Sequence, residues 1–205
     1  MRIRNVIKLV LGTVLALGMS IDTLKAAGYP EKPITMILPL GAGGSHDRNA
    51  RVFTSVIPEF LGNAIIVKLM PGASGQVGTA AAARSKPDGY TLIFTHNYYD
   101  QLQKHVKKLP YNTDKDFVTV GKLNSGSFSV IVRADSPFKT WGQLVAFAKK
   151  NPGKLKFAHS GNWGATHAPA LQLFTEAGIV KNIVMVPYKG GGPSLRGFLA
   201  KEADF

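Results

Sequence analysis

The stretch of residues 34–51 constrains the fold most, because an apolar run, a glycine turn and a helix start follow one another without a spacer. The apolar run, ITMILPL, contains Pro39 and therefore predicts a strand rather than a helix. Three glycines within residues 41–44 permit a sharp turn, and Ser45 and Asp47 are both suitable N-caps for the helix that follows. This unit directs bare N–H groups and a helix N-terminus to one point, which favours an anion there.

Two further strands are predicted nearby, at residues 64–69 and 90–95. The first of them runs into a second glycine turn, PGASGQVG, and then into an alanine-rich helix at residues 79–85. Three strands with helices between them predict a right-handed, parallel α/β unit.

The same arrangement recurs towards the end of the chain. A strand at residues 155–158 leads into the polar turn HSGNWGATH and a helix at residues 169–177, which Gly178 closes. Another strand, at residues 183–186, leads into PYKGGGPS and a helix beginning near Pro193. Glycine turns repeated at the carboxyl ends of strands form ligand sites in open parallel sheets, so the chain is predicted to carry a small anion.

The segment between these two regions is predicted to hold strands at residues 117–120 and 128–132, separated by the flexible NSGS. A boundary is placed there, which gives a first α/β lobe at residues 28–124 and a second at residues 125–205. Beyond it, Thr140 and Gln143 have the spacing of a capping box and predict the start of a helix.

The chain is strongly basic. Its 205 residues include 25 Lys and Arg against 12 Asp and Glu, a formal net charge of +13. Apart from KHVKK at residues 104–108 the basic residues are scattered singly, with no aromatic interleaving, which argues against nucleic acid as a partner. A solvated surface and the steering of anionic solutes both remain open.

The first 27 residues have the pattern of an export signal peptide: MRIR, an apolar run, and small residues at a cleavage point. The apolar run is 11 residues long, shorter than the span of about 20 that a membrane helix needs. A membrane anchor is the alternative. If these residues are an export signal peptide, the mature protein is predicted to work outside the cytoplasm.

Neither a metal site, a cofactor nor an enzyme is predicted. The chain has no cysteine, its five histidines lack ligand spacing, and it contains no GxSxG motif and no suitably spaced carboxylate pair. GAGGSH has His46 where a dinucleotide fingerprint has Gly or Ala. The competing hypothesis is an enzyme that uses the glycine turns as an oxyanion site, with Ser45 or His46 reacting. His167, beside Thr166 at a helix start, is expected to act as a hydrogen-bond donor.

Six segments in consistent order carry a resemblance to a known family: YPEKPITMILPLGAGGSHDRNAR, PGASGQVG, KPDGYTLIF, LPYNTDKDF, NPGKLKFAHSGNWGATH and VPYKGGGPS. Together they resemble the Bug family of periplasmic solute receptors, which serve tripartite tricarboxylate transporters. The resemblance implies a two-lobe, type II-like periplasmic-binding-protein fold. It also implies a periplasmic monomer that closes on a small carboxylate (a di- or tricarboxylate, an amino acid or an aromatic acid) and partners membrane transporter subunits.

The resemblance also implies which residues form the site. Backbone N–H groups of the first binding loop would hold one carboxylate while Asp47 braces the turn, and the second lobe would hold the ligand's other polar group. The substrate-binding residues implied in this way are Pro39, Gly41, Ala42, Gly43, Gly44, Asp47, Ser74, Thr95, Gly161, Asn162, Thr166, His167 and Asp204.

Two departures from the family pattern bear on binding. Trp163 and Gly164 replace a small glycine and a serine, so an indole would either shrink the pocket or stack on an aromatic ligand. Family members also continue past residue 205, which implies a C-terminally incomplete fold. We therefore expect the 205-residue chain to be poorly stable and to bind weakly or not at all. A non-binding remnant, or a sensory or scaffolding module of the same fold, is the alternative.

Overall fold

The computed structural model describes residues 28–96 and 102–205. The chain divides into two compact units, Met1–Glu31 and Lys32–Phe205. Residues 28–31 of the first unit form a turn, and the predicted signal peptide at residues 1–27 lies outside the described residues. The elements below all belong to the second unit.

The described elements alternate between strands and helices. The strands are β1 (Ile34–Leu38), β2 (Ile65–Leu69), β3 (Thr91–Ile93), β4 (Leu155–His159) and β5 (Ile183–Pro187). The α-helices are α1 (Ser45–Val56), α2 (Pro58–Leu61), α3 (Gln76–Ala83), α4 (Gln103–Val106), α5 (Trp141–Lys150), α6 (His167–Glu176) and α7 (Gly191–Leu199), with short 3₁₀ turns at Ala73–Gly75 and Val180–Asn182. No helix in the described ranges is long and apolar enough to span a membrane.

The strands form two parallel sheets. In the first, β1 lies between β2 and β3, and Met36 is opposite Val67 on one side and Leu92 on the other. In the second, β4 pairs with β5, and Phe157 is opposite Met185. Each of these strands was predicted, and the predicted parallel α/β arrangement is confirmed. The proposed lobe boundary at residue 124 lies between the two sheets and stays a prediction.

Each sheet has its own apolar core. Four of the five residues of β1 are buried, as expected of a central strand covered on both faces. The core beside the first sheet contains Ile34, Met36, Ala50 and Ile65. The larger core beside the second sheet contains Leu144, Ala148, Leu155, Phe157, Ala170, Phe174, Ile179, Ile183 and Phe205.

The predicted N-cap is confirmed for helix α5 and is wrong for helix α1. The predicted capping box of α5 is confirmed, because Thr140 Oγ1 accepts from the Gln143 N–H and the Gln143 side chain accepts from the Thr140 N–H. The prediction that Ser45 or Asp47 caps α1 is wrong. Gly44 is the N-cap and makes no side-chain capping bond, and Asp47 turns its carboxylate back onto the glycine turn instead.

The prediction of strands at residues 117–120 and 128–132 is also wrong. Both stretches are coil, and Val118 and Val120 are 90% and 85% exposed. Alternating apolar residues make a strand only where a neighbouring strand completes the backbone hydrogen bonds, and none within the described residues pairs with this segment. The short helix α4 was not predicted either, because the polar residues around it lack helical periodicity.

Residues 203–205 lie along the free edge of β4. The Ala158 N–H donates to the Phe205 carbonyl, and the Asp204 N–H donates to the Lys156 carbonyl. The Asp204 carboxylate also accepts from the Lys156 N–H at 2.8 Å. These bonds cover the strand edge and hold Phe205 in the second core.

Candidate functional site

Loops that leave the carboxyl ends of four strands line one cavity of about 40 Å³. The loops after β1 and β2 come from the first sheet, and the loops after β4 and β5 come from the second. On this measure a single water needs roughly 10–15 Å³, so the cavity has room for a few waters. Its lining residues are Pro39, Leu40, Gly72, Ser74, Gly75, Ser160, Tyr188 and Lys189.

The glycine turn, residues 41–44, packs directly on the start of helix α7. The Gly41 N–H donates to the Lys189 carbonyl at 2.9 Å. A Cβ on Gly192 would overlap the Ala42 carbonyl and lie 3.0 Å from the Gly44 nitrogen. Backbone therefore meets backbone here, and glycine is required by close approach as well as by turning.

Asp47 braces the glycine turn from the first turn of α1. It is buried, and one carboxylate oxygen accepts from the Gly43 N–H at 2.9 Å while the other accepts from Arg51 Nε at 2.9 Å. The bracing role expected of Asp47 is confirmed by these bonds. As a consequence, the Gly41 and Gly43 N–H groups are already occupied, whereas the N–H groups of the first turn of α1 have no acceptor within the helix.

Two imidazoles lie beside the glycine turn. The rings of His46, in α1, and His96, after β3, are 4.9 Å apart between centroids. Burial lowers the pKa of His46. Burial, followed by the nearby His46 charge, lowers the pKa of His96 to about 3. Both rings are therefore neutral near pH 7 and add no charge to this end of the sheet.

The loop after β2 contacts the loop after β4. Ser74 has a left-handed backbone with φ 56°, and its Oγ would lie 3.3 Å from a Cβ on Gly161. The Ser74 carbonyl accepts from Nε2 of the fully buried Gln103 at 2.9 Å. Gln103 thus supports the loop from 29 residues away, and no signal in the sequence pointed to this residue.

The segment of residues 160–166 is called the 160–166 loop below. Several of its polar groups are hydrogen-bonded to one another or to His167. Thr166 Oγ1 accepts from the Ser160 N–H at 2.9 Å and also lies 2.9 Å from the Ser160 hydroxyl. Nδ1 of His167 accepts from the Trp163 N–H at 3.0 Å, so the donor predicted at His167 can only be its other nitrogen, Nε2. The Asn162 side chain is exposed.

His159, the last residue of β4, was missed as a site candidate. It is fully buried, and its ring lies 4.3 Å from that of His167 between centroids. Within the described residues neither of its ring nitrogens makes a hydrogen bond of good geometry. Burial, then the nearby His167 charge, lowers the pKa of His159 to about 4, and the Gly161 backbone opposes this only in part. Burial, then the Lys107 charge, lowers the pKa of His167.

The structure brings some expected site residues to the cavity and leaves others apart. Pro39 is fully buried and lines it, whereas Thr95 is partly buried just beyond β3. Asp204 is not brought to the cavity, because its carboxylate is bonded to Lys156, three residues before the cavity end of β4. Among the described residues no group of three or more His, Asp or Glu side chains could hold a metal ion.

Comparisons with known proteins identify the family of this chain. The family model described as tripartite tricarboxylate transporter family receptor matches residues 49–205. Protein BugT of Bordetella pertussis is 32% identical over 190 residues, which cover 91% of this chain and 57% of BugT.

Solved structures show the same likeness. The periplasmic binding protein BugD superposes with a TM-score of 0.75 at 30% identity, covering 86% of this chain and 58% of BugD. MatC from Rhodopseudomonas palustris, with bound malate, superposes with a TM-score of 0.76 at 27% identity, covering 85% of this chain and 59% of MatC. These likenesses confirm the predicted periplasmic-binding-protein fold. This chain spans a little less than three fifths of the length of these relatives.

Proposed function

Because this chain belongs to the tripartite tricarboxylate transporter receptor family, we propose that it binds a small organic carboxylate outside the cytoplasm. One observation carries the proposal: loops from two parallel sheets, each leaving the carboxyl end of its strand, line a common cavity. Such strand ends are where open α/β sheets bind ligands. The malate bound to MatC is a ligand of the proposed class.

The charges around this junction favour an anion. Arg196 Nη1 would lie 3.7 Å from a Cβ on Gly43, and the Lys107 charge is close enough to lower the pKa of His167. Asp47, the acidic residue that braces the glycine turn, forms an ion pair with Arg51. With neutral imidazoles, Arg196 near the glycine turn and the first-turn N–H groups of α1, this end of the molecule is suited to a carboxylate.

Binding requires the two sets of loops to separate. A cavity of about 40 Å³ is far below the roughly 300 Å³ at which small-molecule pockets begin. The ligand would replace the hydrogen bond between Gly41 and Lys189 and then hold both loops, so that it stabilises a closed form around itself. We further propose delivery to membrane transporter subunits in the periplasm, as the family description implies.

Ligand-induced stabilisation tests the proposal. The 205-residue chain would be melted with malate, citrate, glutamate and benzoate, each raised from micromolar to millimolar concentration, and binding would be confirmed by calorimetry. Because the 205-residue chain spans only part of its relatives' length, we propose weak binding, so at least one acid should raise the midpoint at millimolar concentration. Asp47→Ala should abolish the rise while Arg51→Ala keeps it. A midpoint indifferent to every acid would overturn the proposal and would favour a non-binding module of the same fold.

A further inference from the structure

Trp163 holds a backbone conformation that a bulky residue rarely adopts. Its φ is +60°, in the left-handed region. Such a conformation is strained for a residue with a side chain and persists only where the surroundings hold it. Here the Trp163 N–H donates to His167 Nδ1, and the neighbouring Gly164 N–H donates to the Gly161 carbonyl at 3.2 Å. The loop therefore places a tryptophan in a backbone conformation that glycine adopts without strain.

The indole begins a series of aromatic contacts. The Trp163 and His167 rings meet edge to face, 5.7 Å apart at 88°. His167 lies on His159 at 4.3 Å, and His159 stacks on Phe157 at 6.1 Å. The inner three rings are buried, but Trp163 is only partly buried. One end of the series is thus anchored in the core and the other end is open.

The 160–166 loop, which carries the open end, takes part in the junction between the two sets of loops. Trp163 belongs to the 160–166 loop, which supplies Ser160 to the cavity and places Gly161 against Ser74. His167 contributes a donor beside the indole. Because its Nδ1 accepts a hydrogen bond, the neutral ring carries its proton on Nε2, and within the described residues that N–H has no acceptor.

We infer that Trp163 and His167 form an aromatic wall of the site, and that the preferred ligand is a carboxylate carried on a planar aromatic ring. The inference rests on the proposed function and adds the ligand class to it. The ligand ring packs on the indole, while its carboxylate accepts from His167 Nε2. An aliphatic ring of the same size gains the same charge contact but not the aromatic one. Contacts between aromatic rings correspond to a preference of about two- to tenfold.

The test compares benzoate with cyclohexanecarboxylate, which share a carboxylate and a six-membered ring. The chain has only two tryptophans, so Trp141→Phe leaves Trp163 as the single indole reporter. Trp141 is exposed and stacks on the core residue Phe174 with ring centroids 6.1 Å apart, and the substitution replaces it with another aromatic ring. In this variant benzoate should bind about two- to tenfold more tightly by calorimetry and should change the Trp163 emission.

Two further variants separate packing from folding. Trp163→Gly suits the left-handed backbone, so the chain should melt no earlier, and the preference for benzoate over cyclohexanecarboxylate should vanish. Trp163→Phe keeps a ring and should retain part of the preference. Equal affinity for the two acids in the starting protein, or a benzoate preference that survives in Trp163→Gly, would overturn the inference. If malate binds and neither ring acid does, only this inference fails. If no acid binds, the proposed function fails with it.

Discussion

The Gly41 N–H donates a 2.9 Å hydrogen bond to the Lys189 carbonyl, and this bond joins the loop after β1 to the loop after β5. A Cβ on Gly41 would lie only 2.8 Å from that carbonyl oxygen, so the contact requires both an N–H and the absence of a side chain. Glycines that the sequence associated with anion binding therefore also serve the closure of the two loops. A ligand carboxylate that replaced the Lys189 carbonyl as acceptor would use the same donor, the Gly41 N–H.

Gly192→Ala should disrupt this junction. Its Cβ would meet the Ala42 carbonyl, and backbone cannot move aside cheaply, so we expect a loss of about 1–3 kcal/mol in the free energy of unfolding. Urea denaturation followed by circular dichroism measures it. Gly142→Ala in helix α5 is the matched control, because a Cβ there has no neighbour within 4 Å. It should leave stability unchanged or raise it by up to about 1 kcal/mol. Equal effects of the two substitutions would contradict the packing argument.

Asp47→Ala should loosen the glycine turn. The substitution removes the acceptor of the Gly43 N–H from a carboxylate only 7% exposed, and a charged hydrogen bond of this kind contributes about 1.5–3 kcal/mol. Arg51→Ala removes only the 59% exposed partner and should cost less than about 1 kcal/mol. Both values come from chemical denaturation at pH 7. If Arg51→Ala proved as costly as Asp47→Ala, the ion pair rather than the brace would be the stabilising interaction.

Stability should fall as the pH drops from about 6.5 towards 4. Folding lowers the pKa of His159 from its ordinary 6.5 to about 4, so the unfolded chain takes up a proton first within that range. The stability it contributes is complete above pH 6.5 and is lost progressively below. His46, His96 and His167, whose pKa values are also lowered, act in the same direction. Melting temperatures measured from pH 7.5 to 4 should show this decline.

His159→Phe should make the fall in stability at low pH less steep. The substitution keeps a ring between Phe157 and His167 but removes two buried nitrogens that make no hydrogen bond of good geometry within the described residues, so it should also raise stability at pH 5. His105→Gln, which removes an imidazole from an exposed position, is the control. A His159→Phe profile as steep as that of the parent chain would show that His159 is not among the groups responsible.

Gln103→Leu should weaken the loop after β2. The fully buried amide donates to the Ser74 carbonyl, and removing the donor leaves that acceptor without its partner at a cost of about 1–3 kcal/mol. Gln172→Leu is the matched control, because this exposed side chain bonds only to Glu176 of its own helix. Chemical denaturation compares them. A Gln103→Leu variant as stable as Gln172→Leu would remove Gln103 from the support of the site.

Local features of the sequence predicted the local structure well. The strand at residues 34–38 follows from an apolar run, and the start of α5 follows from the spacing of Thr140 and Gln143. Each depends on residues near one another in the chain. The predictions that failed depend instead on contacts between residues that are distant in the chain. Residues 117–120 have a strand pattern but lack a pairing neighbour, and Asp204, placed by resemblance in the cleft, is held by Lys156.

The sequence by itself determined the five strands and the turns that follow them, the parallel orientation of the strands and the family, since all of these depend on composition and spacing along the chain. The tertiary structure alone decided that Gly41 meets Lys189, that Gln103 supports Ser74 and that His159 is buried beneath His167. The first two contacts join residues that are distant in the chain, and the third depends on how β4 and α6 pack. Their energies depend on which surfaces the packed sheets bring within a few ångströms, and no local pattern encodes that distance.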